Sequence, residues 1–220
     1  MNSEEILKQV AQEVTVCKKC ILYNSRKRAV PGEGPAKASI MFIGEGPGFH
    51  ENEQGRPFVG QAGKFLEELL ASIGLKREDV FITNVVKCRP PGNRDPLPDE
   101  LTACSDYLER QIQAINPPVI VTLGRFSMAR FLPNAKISDV HGQAYHVKDR
   151  SMQPRLVVPM FHPAAALHQP SLRPMVERDF SRLPQLIAQA KTAGGPENEA
   201  QVFEEKKPEN KPEPKQLSLF

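Results

Sequence analysis

Four apolar runs punctuate the chain, at 40–43, 80–86, 119–123 and 156–160, each rich in Val, Ile, Phe or Leu and too short for a helix. Unbroken runs of this kind predict strands buried on both faces. Between them the apolar spacing changes to threes and fours. Phe65, Leu66, Leu69, Leu70 and Ile73 share one helical face that stops at Gly74, a good C-terminal breaker. A second helix is predicted from near Pro98 and Asp99, with Leu101, Cys104, Leu108, Ile112 and Ile115 on one stripe, ending at Asn116-Pro117-Pro118. A shorter one is predicted over 127–132. A last helix carries Val176, Phe180, Leu183, Ile187 and Ala190, with Pro184 expected to kink or split it. Ahead of the first strand, Ile6, Leu7, Val10 and Val14 predict a short amphipathic helix over 3–14. Strand–helix alternation predicts an α/β fold: a three-layer α/β/α sandwich on a central four-stranded, largely parallel sheet. Ligands of such sheets bind beyond the carboxyl ends of the strands, where the loops gather.

The periodicity ends near Thr192, so residues 1–193 are expected to form one domain. Residues 194–215, rich in Glu, Lys, Pro and Asn, predict a disordered linker. A chain of 220 residues, 40% hydrophobic and 25% charged, can bury one substantial core. No apolar run approaches a membrane span and the first residues are polar, so a cytoplasmic protein without membrane contact is expected. The net charge of +3 hides an asymmetry. Residues 194–220 hold six Glu and four Lys, which leaves +5 on residues 1–193. A basic body permits a polyanionic partner. With no Trp and three Tyr, stacking on bases would fall to Phe, Tyr or His.

The four cysteines change the picture further. Cys17 and Cys20 form a C-x2-C pair, whose turn can bring both sulfurs to one metal centre, and Cys88 and Cys104 complete a four-thiolate set. A disulfide framework is the poorer reading for a chain of this size without a secretory segment. Zinc ribbons usually close with a second C-x2-C, whereas fifteen residues separate Cys88 from Cys104. That asymmetry leans toward an iron–sulfur cluster, with zinc still open.

Each predicted strand opens into an unusual loop. Gly44-Glu45-Gly46-Pro47-Gly48 follows the first, then Gly55-Arg56-Pro57-Phe58-Val59-Gly60; Asn84 to Pro91 follows the second, and His162-Pro163-Ala164-Ala165-Ala166-Leu167 the fourth. Glycines there let backbone approach a ligand closely. A dinucleotide fingerprint is a poor fit, because Pro47 interrupts it, no helix is expected directly after, and no acidic residue marks the second strand end. Taken singly, Glu45, Phe58, Asn84 and His162 have ordinary structural readings. Their co-occurrence at successive strand ends points to one site.

The motifs GEGPG at 44–48, GRPFVGQAG at 55–63, TNVVKCRPPGNR at 83–94 and HPAAAL at 162–167, with the four cysteines in register, resemble the family 4 uracil-DNA glycosylases, the iron–sulfur branch of that superfamily. The resemblance covers about residues 5–190. It implies a uracil-DNA glycosylase-like fold and removal of uracil from single- and double-stranded DNA in base excision repair. It implies a [4Fe–4S] cluster on Cys17, Cys20, Cys88 and Cys104, and a uracil pocket formed by Glu45, Gly46, Phe58, Asn84 and His162. Catalytic roles fall to Glu45, Asn84 and His162. Family 1 enzymes carry an Asp where this chain has Gly46, so Glu45 is expected to position water or stabilise the sugar cation. Glu51, with Gly48, is expected to wall off thymine's methyl group. Leu167 is the expected wedge, and Arg89 and Arg94, with Lys64 and Arg173, the expected phosphate contacts. A related branch bonds covalently to DNA through a histidine in an insertion after its second strand; Pro90 to Arg94 contain none, so ordinary turnover by a monomer is expected.

The chain ends Gln216-Leu217-Ser218-Leu219-Phe220, which resembles the peptide by which bacterial repair and replication proteins dock on the sliding clamp. The competing expectation from another class is a non-enzymatic metal-cluster adaptor that brings repair factors to DNA through this tail. Such an adaptor has no need of the set Glu45, Phe58, Asn84 and His162.

Overall fold

Strands that bury both faces must send alternate side chains into two helical layers, and these do. The computed structural model of the chain describes residues 1–148 and 153–192. Its strands are β1 (Ile40–Gly44), β2 (Phe81–Asn84), β3 (Val119–Leu123), β4 (Tyr145–Lys148) and β5 (Pro154–Met160). Its α-helices are α1 (Ser3–Val16), α2 (Phe49–Gln54), α3 (Gln61–Ser72), α4 (Pro98–Ile115), α5 (Arg125–Ala129), α6 (Ile137–Val140), α7 (Pro163–His168) and α8 (Arg173–Thr192). The sheet order is β2-β1-β3-β5-β4, parallel except for β4, which runs antiparallel to β5.

On one face Phe42, Ile82, Val121 and Val158 meet α3, α7 and α8 through Phe65, Leu69, Ala166, Phe180 and Leu183. Phe42 and Phe180 stack with ring centroids 6.1 Å apart. On the other face Met41, Ile43, Phe81, Ile120 and Val157 meet Leu108, Ile112 and Ile115 of α4, with Phe131. α1 lies on α4, packing Val10 and Val14 into a third apolar cluster with Cys88, Cys104 and Tyr107. Asn2 and Glu5 close a capping box at its start, and the Glu13 carboxylate accepts a 2.9 Å bond from Arg110 of α4.

The sheet therefore has five strands, not four. β4 escaped the apolar pattern because it is an edge strand, alternating half-buried and exposed residues and holding Val147 as its one aliphatic side chain. β2 is shorter than expected. After Asn84 the backbone turns toward the neighbouring loop, where Val85 N–H donates to Gly44 O and Val86 N–H to Glu45 O at 3.0 and 3.1 Å. A helix does start directly after the Gly44–Gly48 loop: α2 spans only six residues with no apolar periodicity, and Asn52 holds it by accepting from Lys27 N–H at 2.9 Å. α5 begins at Arg125 rather than 127. α8 runs through Pro184 unsplit, because Val176, Phe180 and Leu183 before it and Leu186 and Ile187 after it pack on the same core, which offsets one lost backbone bond. The expected linker at 194–215 and the peptide at 216–220 lie outside the described residues.

Candidate active site

Parallel strands bring their following loops to one rim, and Gly44 is where two side chains converge on it. A Cβ at Gly44 would collide with both the Asn84 carboxamide oxygen and the Phe58 ring. Asn84 ends β2 in register with Gly44 and is 1% exposed, yet its Oδ1 has no hydrogen-bond partner. An unpaired buried acceptor costs about 1–3 kcal/mol, so this oxygen suits a ligand's N–H. Phe58 is buried and adopts φ +52°, a left-handed backbone that an aromatic residue rarely takes. Its ring stacks on the His162 imidazole, with centroids 5.5 Å apart and planes 26° apart.

His162 caps α7. Its Nδ1 accepts the Ala164 N–H at 3.1 Å, so the neutral ring carries its proton on Nε2. Burial pushes the imidazole down to about 4 against the opposing pull of Glu51, and at neutral pH the ring is an uncharged donor. Glu45 is half-buried; burial, then the charge of Asp95, raises its carboxyl above the usual range while Arg125 opposes them. At Gly46 a Cβ would stand 2.8 Å from Val86 Cγ2, so any larger residue there must push the Val86 side chain aside. Glu51 braces the site: its Oε1 accepts from Val59 and Gly60 N–H at 2.8 and 2.9 Å, and its Oε2 lies against Gly48.

Around this rim Leu167 is 43% and Phe49 54% exposed, large values for such side chains. Arg89 lies over the Phe49 ring and donates to Asn93 at 2.7 Å. Arg94 is engaged elsewhere. Its guanidinium forks onto the buried Glu100 carboxylate at 2.6 and 2.9 Å, where Glu100 also caps α4 through Leu97 N–H. Arg173 bonds Glu177 and Glu68 and covers the Phe65 ring, and Lys64 is exposed on α3.

Behind the rim, Cys17, Cys20, Cys88 and Cys104 line one small enclosed cavity with Tyr107, Arg26 and Lys87. All four are free thiols. N–H groups of Lys19, Arg26 and Lys87 point at Cys17, Cys88 and Cys104 at 3.4, 3.5 and 3.4 Å. Burial raises the thiols of Cys20 and Cys88, and that of Cys104 to about 11. Lys87 was missed by sequence reasoning. It is fully buried, and its Nζ donates to Thr83 Oγ1, the Asn84 carbonyl and Gln111 Oε1 at 2.6, 2.9 and 2.7 Å, joining the cavity wall to the Asn84 backbone. A lysine inside an apolar run beside a cysteine was the available signal.

Pocket and fold together define a class, and comparison agrees: residues 31–183 match the uracil DNA glycosylase superfamily. Within it the chain is 51% identical over 186 residues to a type-4 uracil-DNA glycosylase of Sulfurisphaera tokodaii, covering 82% of this chain and 84% of that one. It is 50% identical to the type-4 enzyme of Archaeoglobus fulgidus (83% and 94% covered) and 51% to that of Saccharolobus solfataricus (81% and 85%). The chain belongs to the type-4 uracil-DNA glycosylase family.

Proposed function

We propose that this protein is a DNA-repair glycosylase that hydrolyses the N-glycosidic bond of deoxyuridine in single- and double-stranded DNA, releasing uracil and leaving an abasic site. The observation that carries this reading is the buried, unpartnered Asn84 Oδ1 beside the stacked Phe58 and His162 rings. A base inside a duplex is out of reach, so the nucleotide must swing into the pocket, with Leu167 filling the gap it leaves. Phe58 offers a face for the pyrimidine. The Asn84 amide accepts from uracil N3–H and donates to O4, whereas cytosine reverses that pattern and would leave buried polar groups unpaired. As the C1′–N1 bond breaks, its electron pair leaves with uracil, and His162 Nε2–H donates to O2, where charge gathers. Water bonds to C1′ and releases a proton; Glu45 orients that water and faces the cationic sugar. A neutral imidazole suits this task, because it donates without first holding a charge in a water-poor site.

The cysteine set fits a [4Fe–4S] cluster. Four free thiols face one cavity with N–H donors aimed at three sulfurs, the usual surroundings of cluster thiolates. When bound, the cluster supplies a covalent cross-link between the N-terminal arm, the β2 loop and α4. The protein is further proposed to act as a cytoplasmic monomer tethered to the sliding clamp by Gln216, Leu217, Leu219 and Phe220.

The reading is tested with oligonucleotides carrying one uracil, single-stranded or paired with guanine. Both should yield free uracil and an alkali-sensitive abasic site, while matched cytosine and thymine substrates stay intact. Absence of abasic product at stoichiometric enzyme would rule it out.

A further inference from the structure

Phe58 can serve as a stacking platform only while its backbone stays left-handed, a strained conformation for a non-glycine residue. Something must hold it there. The 55–63 loop folds so tightly that a Cβ at Gly63 would overlap the Phe58 carbonyl, which fixes that carbonyl from one side. From the other side comes Arg77, in the turn just before β2. Its Nη1 donates to the Phe58 carbonyl at 2.8 Å, and its Nη2 donates to the Pro57 carbonyl. The same guanidinium is oriented by Glu33, which its Nε contacts, and by Glu67 at 3.3 Å. Glu33 also takes two bonds from Arg56, at 2.8 and 3.0 Å. Burial alone would raise the Glu33 carboxyl, but the two arginines outweigh it and hold it below the usual range, so the pair stays charged at neutral pH. Arg77 is largely buried, 15% exposed, and its guanidinium is taken up by Glu33, Glu67 and the two carbonyls.

We infer that Arg77 is a positioning residue for uracil excision: its planar fork clamps the Pro57 and Phe58 carbonyls, fixing the left-handed turn that presents the Phe58 ring to the base. The inference rests on the stacking role proposed for Phe58. A lysine could not replace the fork, because one ammonium does not span two carbonyls in a fixed plane while also meeting Glu33.

A double-mutant cycle tests it, using single-turnover excision by the full chain with melting temperature measured alongside. Arg77→Met should slow excision about tenfold or more when Phe58 is present, the scale of loss expected from a misplaced binding group. In the Phe58→Ala background the same change should cost less than about twofold, because the ring it positions is gone. A merely structural arginine would slow both backgrounds equally, and that result overturns the clamp while leaving the pocket standing. If Phe58→Ala alone excises at the wild-type rate, the stacking role falls and the clamp with it. Arg77→Lys carries the same cycle should Arg77→Met fail to fold, with the same outcomes decisive.

Discussion

A carboxylate half-buried near a second carboxylate holds its proton more tightly than one in water, and Glu45 stands in that position beside Asp95. If ionised Glu45 orients the water, excision should decline as pH falls through its raised pKa, so the acid limb of the rate profile lies above 4.5, the ordinary value. His162 contributes nothing to that limb, since it stays neutral down to about 4. Glu45→Gln should excise about 10²-fold more slowly and lose the limb. A single-turnover pH profile decides; an unchanged limb in the variant would move the titrating group elsewhere. At this scale Glu45, Asn84 and His162 were legible as candidates because each stands at a strand end in a distinctive loop, and Phe58 because it sits in the glycine-flanked loop between α2 and α3. Arg77 was not, since its importance lies in which carbonyls it reaches about twenty residues away, and no spacing in the sequence encodes that.

Elements bring the cysteines together: the turn after α1, the loop after β2 and one face of α4, which otherwise pack through Val10, Val14, Leu22, Val86 and Tyr107 and the Glu13–Arg110 pair. The protein purified without oxygen should therefore carry iron with acid-labile sulfide and absorb broadly in the visible. Cys104→Ala should lose both and expose the 17–24 segment to protease, because of its own side chains Leu22 is the one fully buried in the apolar cluster. Stoichiometric zinc without sulfide would contradict the cluster. The parallel strands and the helices α3 and α4 were legible from apolar periodicity, since burial on one or two faces dictates it. β4 and α2 were not. An edge strand and a six-residue helix need little apolar surface, and what holds them is a neighbouring strand or the polar bonds of Glu51, Asn52 and Glu53.

Over the whole molecule, residues 1–193 carry a net charge of +5, which suits a body that must approach a polyanion, while the acidic-leaning 194–220 segment would not compete for it. The proposed tether would let the catalytic body search nearby DNA while held at one point. Deleting residues 216–220 should abolish clamp binding in calorimetry and leave excision on short oligonucleotides unchanged; a full-length protein that ignores the clamp, or a deletion that unfolds the domain, would refute the tether. The central claim is that Asn84 and His162, brought from two strands to one rim, recognise uracil and take up its leaving charge. Single-turnover excision by Asn84→Ala and His162→Ala tests it most directly. Both should fall roughly 10²–10³-fold, the usual loss of one oriented donor at developing charge, with melting temperature and visible absorbance kept. Wild-type rates in both variants would contradict it.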